Sequence, residues 1–262
     1  MNNVNKTLYI PLYGKSYVSR RGLFLKDEKA EQIWAEEGFT LKGKAKSKWL
    51  AYYMGMRSAV FDSWLKEEIQ QHPDSVVVHI GCGLDGRVQR VGIKQTAGWY
   101  DLDFPAVIQE RRKYYEETEI YHMVEADVRE KNWVQKLSKA PHAIVVLEGI
   151  SMYLTFEELQ QLFQTICSYF VQSSVLMDCY TELAAKASKF KNPINTVGVT
   201  KVYGLDNPRQ IEDATGIVFV KEHEITPNRL IAELKGTEKF IFQKIYGGSF
   251  AKKLYRLYEY RQ

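Results

Sequence analysis

The chain has little cysteine. Cys82, Cys167 and Cys179 are the only three in 262 residues. Three cannot all pair internally and their spacing fits no zinc-ligand pattern, which argues against a disulfide framework or a metal centre. Long apolar runs are missing as well: no stretch approaches the roughly 18–20 residues needed to cross a bilayer. The opening Met1-Asn2-Asn3-Val4-Asn5-Lys6 lacks the charged-then-apolar layout of a secretion signal, so a cytoplasmic protein without membrane contact is expected. Charge of one sign is weak, with 36 Lys+Arg against 32 Asp+Glu for a net +4. The one basic cluster, Lys42, Lys44, Lys46 and Lys48, reads as a solvated surface. A nucleic-acid partner would want a denser basic face interleaved with aromatics. No internal repeat or low-complexity tract is visible. What remains is ordinary globular composition, 45% hydrophobic and 26% charged, on a chain long enough for one large domain.

Residues 1–74 read as mostly helical. Apolar residues fall at helical spacing over 27–37 and again over 47–70, from Trp49 through Met56 and Phe61 to Ile69. Pro73-Asp74 closes that part. Strand–helix alternation then begins, with strands at 75–80, 98–102, 120–124, 143–147 and 174–177. Helices fall at 86–92, 105–117, 132–138 and 155–170, the last opened by a Thr155/Glu158 capping box. Beyond residue 180 the pattern loosens. Helices are expected at 184–190 and 208–214, strands at 217–220 and 239–246, and a Tyr-rich tail over 250–260 that closes the fold. Alternation at this pitch predicts an α/β architecture with a doubly wound, mostly parallel sheet. Two regions are expected within one structural domain: a helical extension and lid (1–74), and a ligand-binding Rossmann-like part (75–262) with an insertion near 180–210.

In such a sheet ligands bind beyond the carboxyl ends of the strands. Four ends carry suggestive groups: Gly81-Cys82-Gly83, Asp103, Ala126-Asp127-Val128, and Glu148-Gly149-Ile150-Ser151-Met152-Tyr153. Neighbouring strands lie about 5 Å apart, so these ends can line one crevice. Each signal alone is weak. A Gly-x-Gly is often only a tight turn, an Asp after a strand is often a helix cap, Arg57 on a helix is usually a surface ion-pair residue, and Tyr153 can be plain core. Asp85 reads as a turn residue and Cys82 as a small residue in a tight turn. Glu148 ends a buried strand and so needs a partner. Four ends in register outweigh these readings.

Gly81-x-Gly83-x-x-Gly86 also satisfies the dinucleotide fingerprint, which keeps a nicotinamide-dependent oxidoreductase open, and a non-catalytic cofactor-binding protein is a third class. A dinucleotide site, however, needs helix N–H groups facing a pyrophosphate and usually a second nucleotide half. Carboxylates after strands three and four, with no second glycine-rich turn, suit a ligand with a cationic end and an adenine amino group. S-adenosylmethionine has both.

These motifs are similar to those of the leucine carboxyl methyltransferase family, above all its bacterial, tetracenomycin-type polyketide O-methyltransferase branch. The likeness runs through Leu8-Tyr9-Ile10-Pro11-Leu12-Tyr13-Gly14-Lys15 with Ser19-Arg20-Arg21, Met56 to Asp62, His79 to Arg87, Trp99 to Ile108, Leu147 to Leu154 and Tyr203-Gly204-Leu205-Asp206-Asn207. It implies a class I S-adenosylmethionine-dependent methyltransferase fold of seven strands, with an N-terminal helical extension and a C-terminal cover. It further implies that Arg57, helped by Lys15, pairs with the cofactor carboxylate, and that Gly81 and Gly83 let the backbone approach the cofactor. Asp103 would hold the ribose hydroxyls, Asp127 and Val128 would contact adenine, Glu148 would sit by the amino group, and Tyr153 would line the transfer site. The implied reaction is methylation of a small-molecule carboxylic acid, with Tyr153 and Arg57 as positioning groups and no certain catalytic residue. Two departures stand out: His79 replaces a small polar residue, and Gly86 replaces Thr.

Overall fold

The computed structural model describes residues 4–39, 41, 43–191, 201–247 and 253–262. Three helices come first: α1 (Val4–Arg20), α2 (Glu28–Glu37) and α3 (Lys48–Gln71). Asp27 caps α2 by accepting a 2.8 Å hydrogen bond from the Ala30 N–H, and Gly38 ends it in the left-handed region at φ 59°. The alternating part follows as β1 (Val76–Ile80), α4 (Arg87–Val91), β2 (Gly98–Asp103), α5 (Pro105–Arg111), β3 (Tyr121–Glu125), β4 (His142–Leu147), α6 (Phe156–Tyr169) and β5 (Gln172–Tyr180). Then come α7 (Glu182–Lys191), α8 (Glu212–Thr215), β6 (Val218–Glu222), α9 (Asn228–Ile231), α10 (Gly236–Tyr246) and β7 (Tyr255–Arg261). The expected Thr155/Glu158 capping box opens α6. Part of the expected insertion, residues 192–200, lies outside the described residues.

The seven strands among the described residues form one sheet in the order β3-β2-β1-β4-β5-β7-β6. β1 to β5 run parallel, and β7 inserts antiparallel between β5 and β6. This is the expected doubly wound, mostly parallel sheet. The order turns outward on both sides of β1 and β4, so the switch point lies between those two strands, where a ligand crevice forms.

Strand periodicity sorts the side chains onto two faces. Val76, Val78 and Ile80 point toward α6, where Leu159, Leu162, Phe163 and Ile166 are buried. Val77 points the other way, toward α3, as do Trp99, Ile144, Val146, Leu176 and Leu257. By the same count His79, Asp101, Glu148, Asp178 and Tyr255 fall on the α3 side. The core on that face is therefore apolar along the middle of the strands and polar at the edge formed by the carboxyl ends of the parallel strands and the start of β7.

Two expectations change. The run over 239–246, read as a strand, is helix α10. Its apolar residues match both periods over so short a stretch, and packing decides: Phe242 is fully buried and stacks on Tyr246 one turn on, with ring centroids 4.9 Å apart. Phe240, Ile241 and Ile245 stay exposed. The seventh strand is β7, within the Tyr-rich tail. Helix α5 also stops at Arg111 rather than near residue 117. The Arg111 side chain is drawn into the core, onto the Asp101 carboxylate and the Gly83 and Asp85 carbonyls.

Candidate active site

Beyond the carboxyl ends of β1, β2, β3 and β4 lies a cavity of about 310 Å³. All nine residues singled out from the sequence line it: Lys15, Arg57, Gly81, Gly83, Asp103, Asp127, Val128, Glu148 and Tyr153. Helix α1 supplies one wall through Leu8, Ile10, Pro11 and Leu12. Gly86 does not line the cavity.

The floor is the turn after β1. Gly81 and Gly83 have φ of 70° and 52°, a region that costs other residues about 1–2 kcal/mol. A Cβ on Gly81 would collide with Ile150, and one on Gly83 would meet Leu8 Cδ2 at 3.1 Å. Both glycines are thus favoured by backbone shape, and Gly81 by space as well. Gly86 has an ordinary φ of −82° and is small for a different reason: a Cβ there would stand 2.7 Å from Asp27 Oδ1. Helix α4, which follows, is five residues long. Its first side chain, Arg87, turns inward to Asp62 and Glu148.

Asp103 does not cap the next helix. Its Oδ2 accepts the Gly83 N–H at 2.9 Å and its Oδ1 the Phe104 N–H at 2.8 Å, so it fastens the glycine turn to the end of β2. Burial raises its carboxyl to about 6, against the pull of those two N–H groups. Asp127 is gripped by Arg129, whose Nε donates to Oδ1 at 2.9 Å, and this hydrogen bonding lowers its pKa. The Arg129 guanidinium in turn lies 5.8 Å from the centre of the Phe104 ring.

Arg57 is no surface residue. It projects from the middle of α3, is 4% exposed, and reaches three strand ends. Its Nε donates to Glu148 Oε1 at 3.1 Å, and its Nη1 donates to Asp178 Oδ2 and to Tyr255 Oη, each at 2.8 Å. Glu148 has the partners its burial demands: Arg57, Ser58 Oγ at 2.8 Å and Arg87. Burial works against its charge, but Arg87 and Arg57 prevail and hold its carboxyl below the usual range. Asp178, bonded also by the Gly149 N–H and Tyr255 Oη, goes the other way; desolvation raises it to about 6 despite Arg57.

Lys15 forms a 2.8 Å ion pair with Asp85. Asp85 thereby exceeds its reading as a turn residue, because it also meets Arg90 at 2.7 Å. Arg90 continues to Asp27 and Asp62, and Arg87 joins Asp62 to Glu148. Four cations (Lys15, Arg57, Arg87, Arg90) thus face five carboxylates (Asp27, Asp62, Asp85, Glu148, Asp178). One negative charge is left over, with Asp103 beside them.

His79 now has a role. Its Nε2 faces Arg87 Nη1 at 3.0 Å. A guanidinium only donates, so Nε2 accepts and Nδ1–H donates to Asp101 Oδ1 at 3.1 Å. Burial and the adjacent Arg87 keep the ring neutral by lowering its pKa. His79 is a spacer that passes hydrogen bonds from Arg87 to Asp101. Cys82 is a buried small residue whose thiol is pushed up by desolvation, which removes it as a nucleophile.

Sequence reasoning did not single out Asp178, Tyr255, Arg87 or Asp62. Asp178 had a visible signal, a carboxylate inside the apolar run Val175-Leu176-Met177. Tyr255 reaches Arg57 only because β7 pairs it with Tyr180.

A family model described as leucine carboxyl methyltransferase matches residues 8–167. The chain is 28% identical over 186 residues to the tetracenomycin polyketide synthesis O-methyltransferase TcmP of Streptomyces glaucescens, across 71% of this chain and 69% of that one. A solved structure from Thermobifida fusca superposes with a TM-score of 0.59 at 15% identity, covering 95% of this chain and 94% of that one. Magnesium protoporphyrin IX methyltransferase of Synechocystis PCC 6803, solved with bound SAH, gives 0.51 at 13% identity, covering 90% and 93%. At these identities the two structures show the fold.

Proposed function

The chain belongs to the leucine carboxyl methyltransferase family and is an S-adenosylmethionine-dependent methyltransferase; from that premise we propose that its methyl acceptor is the carboxylate of a small or polyketide-like acid. One observation carries this reading: among the described residues around the cavity, the candidate bases His79, Asp103 and Asp178 are already engaged in hydrogen bonds. Both nitrogens of His79 are in hydrogen bonds. Asp103 is held by two backbone N–H groups, and Asp178 by Arg57, Tyr255 and Gly149. A hydroxyl acceptor would need a base. A carboxylic acid is ionised at neutral pH and needs none. The likeness to an O-methyltransferase of polyketide synthesis supports an oxygen acceptor.

The residues present fit the cofactor. The surplus negative charge beside Asp103 complements a molecule carrying a sulfonium and an ammonium, and the left-handed Gly81 and Gly83 shape the turn that lines the cavity. Arg57, with Lys15, would hold its carboxylate; Glu148 would take the amino group, Asp103 the ribose hydroxyls, and Asp127 with Val128 the adenine. The bound cofactor supplies an electrophilic methyl group. The chain's part is then alignment and dryness. Tyr153 and the α1 residues Leu8, Ile10 and Leu12 close an apolar wall beside the charged floor. In-line displacement between a sulfonium and a carboxylate neutralises charge, so excluding water favours it. On this reading the helical extension acts as a lid.

The test is a panel of carboxylic acids and matched alcohols, followed by formation of S-adenosylhomocysteine. Transfer to acids is expected, with kcat level between about pH 7 and 9 because an ionised carboxylate needs no base. Transfer to alcohols alone, or a rate climbing tenfold per pH unit, rejects the carboxylate acceptor.

A further inference from the structure

A second cluster of chemistry-bearing side chains sits at the opposite end of the sheet. Glu68 and His72 lie one turn apart at the end of α3, and His142 opens β4 at its amino end, away from the cavity. One ligand atom from each residue lies within 4.8 Å of the others. Glu68 Oε2 and His72 Nε2 are 3.9 Å apart.

Two ligand-capable atoms of these residues are buried without a hydrogen bond: Glu68 Oε2 and His142 Nδ1. The residues are only 2% and 6% exposed. An unsatisfied buried acceptor of this kind costs about 1–3 kcal/mol, and two beside each other call for a common partner. The other halves of the same groups are anchored. His142 Nε2 lies 3.1 Å from Ser174 Oγ, and Glu68 Oε1 accepts from Arg261 Nη2 at 2.6 Å. When Nε2–H donates to the serine, Nδ1 carries the free lone pair. A hydrogen bond on the far nitrogen is the usual support of a metal-bound histidine. Arg261 is shared with Glu259, 3.1 Å away, so it does not fully neutralise Glu68.

We propose that Glu68, His72 and His142 form a site for a divalent transition metal of the zinc type, with two imidazole nitrogens, one carboxylate oxygen and water completing the shell. This ligand set suits zinc, at about 2.0–2.2 Å from each donor. Tetrahedral donors at such lengths stand about 3.4 Å apart, so the cluster contracts by roughly an ångström on binding. The two imidazoles stack, with centroids 4.0 Å apart, and the His72 ring has to turn for its lone pair to meet the metal. A side chain 33% exposed at a helix end has that freedom. The bound ion would pin the end of α3 to the start of β4. It is a structural clamp, distant from the methyl-transfer cavity and independent of the acceptor's identity. The cysteine spacing gave no sign of it because none of the ligands is cysteine.

The experiment uses the full chain, freed of metal with a chelator and titrated with zinc chloride by calorimetry, with a parallel thermal melt. His72→Ala is the informative variant because its side chain is partly exposed and its loss leaves the core intact. His142→Ala is a second, riskier one. The expected result is one zinc per chain, a melting temperature that rises to saturation at one equivalent, and at least tenfold weaker zinc binding in His72→Ala. S-adenosylhomocysteine affinity should be unchanged in that variant. Absence of saturable one-to-one binding overturns the proposal, as does a His72→Ala protein that binds zinc like the parent.

Discussion

Asp103 links the glycine turn to the proposed cofactor, and its protonation is exposed to experiment. Burial raises its carboxyl to about 6 in the free protein. Ribose hydroxyls donate to the carboxylate, so binding favours the ionised form and affinity falls as pH drops through 6. If only the carboxylate binds, the competent fraction at pH 5 is about one in eleven, and Kd weakens about tenfold between pH 7.5 and pH 5. The stability sign is opposite. A carboxyl raised from 3.8 to about 6 stabilises nothing when ionised: its share of folding stability is lost as pH rises through 6, to a limit of about 3 kcal/mol. Cofactor binding restores part of that loss, so the ligand-induced rise in melting temperature should be larger at pH 8 than at pH 5. Asp103→Asn separates the effects. The amide relieves the buried charge, but it offers one oxygen where two N–H groups now find two. One N–H then goes unpaired at about 1–3 kcal/mol. Stability should change little, while affinity for S-adenosylhomocysteine at pH 7.5 falls at least tenfold and loses its pH dependence. Isothermal titration from pH 5 to 8 reads this directly. Asp178 titrates in the same range, so a pH slope that survives in Asp103→Asn would refute the assignment to Asp103.

Other perturbations carry their own magnitudes. Gly81→Ala forces an L side chain to φ 70°, at about 1–2 kcal/mol, and drives Ile150 out of place. Cofactor affinity should drop more than stability does, and a wild-type titration would contradict the turn's role. Arg57→Ala strands Glu148 and Asp178 without their shared cation, a loss of about 3–5 kcal/mol by urea unfolding; a change below 1 kcal/mol would show that the buried network tolerates the gap. Helix α10 predicts an asymmetry. Phe242→Ala should cost about 3–5 kcal/mol, whereas Phe240→Ala, exposed on the same helix, should stay within about 0.5 kcal/mol; equal costs would favour a strand there.

The strands of the parallel sheet were legible because each is a short, nearly continuous apolar run between turn signals, as buried parallel strands are. The four groups after β1 to β4 were legible for the same reason: once strand ends are known, whatever follows them shares one crevice. The buried charges behind that crevice were not. His79 and Asp101 are partners because β1 and β2 set them opposite each other, and Asp178 meets Arg57 because the fold brings the middle of α3 to the end of β5. Sequence spacing alone holds neither fact. The stretch ending in Tyr246 went wrong because Phe, Ile and Tyr at such density suit a strand as well as a helix, and only the burial of Phe242 against Tyr52 decides between them.

The central claim is that the methyl group goes to a carboxylate, and the bond formed reports it. The protein is incubated with S-adenosylmethionine labelled on the methyl group and an accepted acid, and the product is treated with mild alkali. A methyl ester hydrolyses and releases labelled methanol, which is the predicted result. A product whose label survives alkali, as in a methyl ether or a methylated amine, would contradict the account.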